Sequence, residues 1–235
     1  MDITVNDINY TIPFDVSQIS LADFLDYYRQ YGRELDKEMA AVNEKQYEGD
    51  EETAALMHTL AIDSQLDKEA LAWFSFWTKK DFMNAGDVPN VGELIIWYKT
   101  FKPLLIQSQE ASMDALEKRI EWNDAVWEIQ PHTVTPTSKM SFNEIITSKE
   151  IIRQVYAIGQ NSWDALPYLC AVFFRKQGEL FEDIFIVEGS ERLELMKTLP
   201  LSIALQVSFF LASCVSTWKT RLAFSEKVED LEMLN

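Results

Sequence analysis

The sequence predicts a mainly α-helical protein with small β-hairpins, an α+β chain that reads as two hairpin-plus-helices units. Three observations point there. Gly and Pro are scarce at seven each while Trp, Tyr and Phe total 29, so apolar burial can offset the entropy of ordering the backbone. Two short stretches alternate apolar and polar residues, and each is followed by the spacing of a capped helix. Further landmarks then recur in the same order in both halves of the 235 residues.

The first stretch, ITVNDINYTI, predicts a hairpin turning at Asn6-Asp7. It sets Val5 opposite Ile8 and Ile3 opposite Tyr10, with all four on one face that needs a helix to cover it. That helix begins at Ser20, whose side chain caps it while Asp23 returns the hydrogen bond. Ile19 and Phe24 stand at the positions of a hydrophobic staple. Next come an acidic helical stretch around NEKQYEGDEETAALMHTL and the segment EALAWFSFWTKK. A Pro-led apolar run, VPNVGELIIWYKTF, completes the first half. SQEASMDALEKRIEWND reads as a polar amphipathic helix with Met113, Leu116 and Ile120 at helical spacing.

The second half repeats this order. Trp127 and Ile129 alternate with His132 and Val134 across a predicted hairpin whose turn holds His132. Ser141 and Glu144 come next in capping-box spacing, flanked by Met140 and Ile145. DALPYLCAVFFRK matches EALAWFSFWTKK, and LPLSIALQVSFFLA matches the earlier Pro-led run. ELFEDIFIVEGSERLELMK has no counterpart in the first half. The spacing between matched landmarks varies, so the pattern fits either an ancient internal duplication or two unrelated units. The resulting organisation is an N-terminal unit over 1–108, a connecting helix over 109–124 and a C-terminal unit over 125–235. In the final FSEKVEDLEMLN, Phe224, Val228, Leu231 and Leu234 form one stripe suited to docking or to a partner helix.

Charge and chemistry narrow the function classes. The net charge is −17, and residues 1–130 hold 25 acids against 11 bases, so the surface repels phosphate and favours basic partner surfaces over nucleic acid. His58 and His132 are the only histidines, neither in a metal-ligand spacing, and both read as surface or core-edge residues. No phosphate-binding glycine motif, nucleophile elbow or calcium loop occurs, so the sequence nominates no catalytic residue, metal ligand or cofactor site. The clusters WFSFWTKK and FFRK read as helix ends with favourable basic last turns, not as base-stacking platforms. Cys170 and Cys214 both lie in apolar runs, as buried thiols do, and MDITVNDINY lacks the features of a signal peptide. Synthesis in a reducing cytoplasm is expected.

From Thr198 to Trp218 stand 21 uncharged residues, a length that could cross a bilayer. Pro200, Gln206 and four serines dilute it, and the expectation is a buried core helix. Phe209 and Phe210, which occupy faces that the first half leaves polar, are the candidate partner contacts.

The order SFNEIITSKEI, WDALPYLCAVFFRKQGELFED, ERLELMKTLPLSIALQVSFFL resembles a hydrophobic pattern of small tailed-phage proteins, over Ser141 to Leu211. Those proteins occur among tail-assembly and virion-internal components, including those of crAss-like phages. The resemblance implies a non-enzymatic virion protein, structural or packaged as cargo near portal and tail. It would be made in the host cytoplasm, reside in the virion and contact other virion proteins there, in one copy or several. The alternatives are a tail assembly chaperone absent from the mature particle and a carboxylate-dependent hydrolase.

Overall fold

The computed structural model describes residues 2–5, 8–13, 15–84, 91–110, 119–129, 142–157 and 162–206. They are mainly helical, with a two-stranded and a three-stranded antiparallel sheet. The chain forms two compact units, Met1–Ile106 and Gln107–Asn235. None of the described helices is long and apolar enough to cross a membrane.

In the first unit β1 (Asp2–Val5) pairs with β2 (Ile8–Thr11), and Ile3 faces Tyr10 while Val5 faces Ile8. This is the register that alternation dictates. The Asn6-Asp7 turn lies outside the described residues. The expected helical cover is incomplete, since Ile8 remains half exposed. Tyr10 instead carries the Lys80 ammonium over its ring at 5.1 Å.

α1 (Leu21–Tyr27) starts as the sequence predicts. Ser20 Oγ accepts from the Asp23 N–H at 3.1 Å, and its hydroxyl donates to the Asp23 carboxylate at 2.6 Å. Ile19 and Phe24 are both buried beside it. A π-helical turn, Tyr28–Gly32, leads into α2 (Arg33–Glu44). Gly32 is demanded by the close approach of the Tyr28 ring, because a Cβ there would stand 2.5 Å from a ring carbon.

α3 (Glu51–Thr78) is capped by Asp50 and buries mainly its C-terminal half. Trp73 anchors that half, in edge contact with Tyr27 at 4.9 Å and tilted against Phe101 at 5.4 Å. Such aromatic pairs add about 0.5–1.5 kcal/mol each beyond the area they bury. α4 (Val91–Glu110) is tied to α3 by charge. Lys99 bridges Asp63 and Asp67 at 2.6 and 2.7 Å, and Lys102 pairs with the buried Glu69.

The second unit corrects one expectation. Residues 119–122 are not part of a connecting helix but a strand, β3 (Arg119–Trp122), paired with β4 (Ala125–Ile129). This hairpin turns at Asn123-Asp124, and the turn expected at His132 lies outside the described residues. Both turn residues have positive φ, 50° and 56°, the backbone that a two-residue hairpin loop requires to match strand twist. Ile120 fitted a helical spacing with Met113 and Leu116, yet this Asn-Asp signal and the alternation around it set the local structure.

β5 (Phe174–Lys176) completes the order β3-β4-β5, with Trp127 opposite Lys176. α5 (Phe142–Ala157) packs on α6 (Ser162–Phe173), and α6 on α7 (Glu191–Lys197). α6 is apolar nearly all round, and Ala165, Leu166, Leu169, Cys170 and Val172 are buried as such a helix must be. Residues 201–206 are helical, with Leu201, Ala204 and Leu205 buried, so the start of the uncharged stretch lies in the core. Positions 207–235 lie outside the described residues.

Relocating the second hairpin brings it into step with the first. Ile3 faces Tyr10 in one, Ile120 faces Trp127 in the other, and an Asn-Asp pair separates the strands in both sequences. Each aromatic also carries a lysine from just beyond the long core helix, Lys80 over Tyr10 and Lys176 over Trp127, the latter at 5.7 Å.

Candidate interaction site

Residues 177–190 lie between β5 and α7, and from Glu179 onward they fall in the segment for which the sequence shows no counterpart in the first half. The chain leaves β5 through Gly178 (φ +83°), passes a short 3-10 turn at Asp183–Ile186 and re-enters a helix after Gly189 (φ +77°). Both glycines hold left-handed backbone that other residues adopt only with strain. Ser190 then caps α7, its Oγ accepting from the Leu193 N–H at 3.2 Å while its own N–H donates to the Val187 carbonyl at 3.0 Å.

These turns enclose a cavity of about 490 Å³ whose lining includes Lys176, Glu179, Phe185, Glu188, Arg192 and Leu195. Arg192 is its central polar residue. The guanidinium is buried between two rings, 4.6 Å from the centre of Trp127 and 4.5 Å from that of Phe185. It pairs with Glu179, whose carboxylate also accepts from the Lys176 N–H at 2.9 Å. Burial pulls the Arg192 pKa below its ordinary range and the Glu179 charge opposes that shift. Arginine stays protonated all the same, so the pair remains ionic.

Of the two other acids on the wall, Glu188 and Glu191, the first is also engaged. Glu188 accepts from the Tyr168 hydroxyl and from the Lys197 ammonium at 3.1 Å. Hydrogen bonding to Glu194, and then to Glu188, raises the Lys197 pKa. The rim differs in kind, because Ile184 and Val187 are 60% and 54% exposed, and Leu180, nearby in the sequence, is 75% exposed. Apolar side chains grouped at a concavity mark a contact surface more often than scattered ones do. Glu179 and Glu188 are thus held by cations, beside the apolar side chains of Ile184, Phe185, Val187 and Leu195.

The candidate contacts Phe209 and Phe210 lie outside the described residues, as do His132 and Cys214. His58 sits on α3 with its ring 5.9 Å from that of Tyr47, far along the chain from this cavity. Cys170 is fully buried in α6, and burial pushes its thiol pKa well up. Trp73, Phe74 and Phe76 of the basic-aromatic cluster are buried too, so those rings serve the core. Among the described residues no group of three or more His, Cys, Asp or Glu is placed to hold a metal ion.

Sequence reasoning missed Arg192, Glu179 and Trp127 as one group, because they come from three separated segments. The available signal was the segment itself, in which Leu, Ile and Val interleave with acids at no regular period. No protein-family model, curated protein or solved structure matches the chain.

Proposed function

We propose that the chain is a non-enzymatic protein of a tailed-phage virion, a structural or packaged cargo component associated with the portal or tail. The observation that carries this reading is the cavity between β5 and α7, where the exposed Ile184 and Val187 stand beside the buried Arg192–Glu179 ion pair. Holding a protein segment calls for that combination, whereas hydrolysis by carboxylates calls for two acids acting together, and of the three that line the cavity Glu179 and Glu188 are held by cations. The resemblance of Ser141 to Leu211 to tailed-phage proteins supplies the virion setting. The net charge of −17 favours basic partner surfaces and disfavours packaged nucleic acid.

Mass spectrometry of purified particles, beside the infected-cell lysate, tests the proposal. The chain is expected in mature particles at a fixed ratio to the portal protein. Presence in lysate with exclusion from particles would overturn it in favour of the assembly chaperone.

A further inference from the structure

The cavity between β5 and α7 has a rim whose charge specifies the kind of segment that can sit on it. Residues 177–191 contain five acids and no base. Glu179 and Glu188 are turned to internal work, on Arg192 and on Tyr168 and Lys197. Glu182, Asp183 and Glu191 are exposed and form no ion pair among the described residues. They stand in the same short stretch as the exposed Leu180, Ile184 and Val187.

We propose that this face docks a segment of a partner protein in which apolar side chains are flanked by lysine or arginine. An apolar anchor would enter the cavity against Phe185 and Leu195 and cover Ile184 and Val187. Flanking cations would answer Glu191 on the cavity wall and Glu182 and Asp183 in the adjoining stretch, exposed positions where charge sets encounter rate and partner choice more than it sets affinity. Competing occupants meet the same acids with the wrong sign. Anionic lipid and nucleic acid are repelled, and a second copy would bring acid against acid on a symmetric contact. The proposal deepens the assembly reading of this site and rests on it for the partner being a protein, but its test uses no virus particle.

The full chain is immobilised and a random peptide library is selected against it, with Ile184→Glu and Val187→Glu as counter-selection targets. Both substitutions are at exposed positions, and circular dichroism checks that each variant keeps the fold. Enriched peptides are expected to carry leucine, isoleucine or phenylalanine flanked by lysine or arginine. Their affinity should fall about tenfold or more on Ile184→Glu, as loss of a central anchor contact does. The Glu182→Gln/Asp183→Gln variant should flatten their salt dependence, while Leu56→Glu, at an exposed apolar position on α3, should leave binding unchanged. Enrichment of acidic or purely apolar motifs would overturn the proposal, as would no enrichment over Ile184→Glu. So would binding of anionic vesicles, or self-association that Ile184→Glu abolishes. A basic-apolar consensus together with absence from particles would leave the docking face standing and remove only the virion setting.

Discussion

Arg175 and Glu144 bring a full positive and a full negative charge into the interior of the second unit, at 1% and 4% side-chain exposure. Such a pair contributes little net stability over a well-packed apolar pair, yet removing one partner strands the other charge where water cannot reach it. Arg175→Met is therefore expected to lower the unfolding free energy by roughly 3–5 kcal/mol, with Arg175→Met/Glu144→Leu recovering most of that loss. Urea unfolding of the two variants checks this. A double variant no better than the single one would show that the charges act independently. Legibility differs sharply at this scale. Ser20, Asp23, Ile19 and Phe24 could be read because a helix cap is written within six residues. Glu144 was legible as a helix-start acid, but its bond to Arg175 spans 31 positions and leaves no local trace. Arg192 between Trp127 and Phe185 is hidden for the same reason.

Local chemistry also decides how elements begin and turn. α3 runs for 28 residues, and its first turn depends on the Asp50 carboxylate, which accepts from the Thr53 N–H at 2.7 Å. That backbone bond, then the Thr53 side chain, holds the Asp50 pKa below the usual carboxylate range. A carboxylate with a depressed folded pKa stabilises above its unfolded value, about 3.9, and ceases to do so as pH falls through the folded value. Asp50→Ala should thus melt earlier than wild type at neutral pH, with the gap closing below about pH 4. Thermal scans across that range decide it, and a gap that widened on acidification would contradict the assignment. The hairpins show how far element-scale reading reaches. The β1–β2 register followed from alternation and an Asn-Asp turn, whereas in β3–β4 a three-residue helical coincidence outweighed the same turn signal. Helical and strand periods overlap over so few residues that the turn chemistry has to arbitrate.

The whole chain consists of two units that share a hairpin register and a lysine over the equivalent aromatic ring, and they differ in the segment beyond the long core helix. Fold class and the two-unit organisation were legible in composition, alternation and recurring landmarks. The divide at Ile106/Gln107 was nearly so, but the connecting helix over 109–124 was not, because residues 119–122 belong to β3. The interaction site was legible only as an unmatched segment, since no periodicity announces that Leu180, Ile184 and Val187 stay exposed while Leu193 and Met196 go inside. The proposed function rests on that asymmetry: the second unit carries an acidic stretch with exposed apolar side chains between β5 and α7. Hydrogen–deuterium exchange of the chain in purified particles, compared with the free protein, measures this most directly. Backbone amides of residues 179–191 are expected to slow strongly in the particle while those of α2 change little. Unchanged exchange across 179–191, with protection gained elsewhere, would contradict the assignment of this face to the partner.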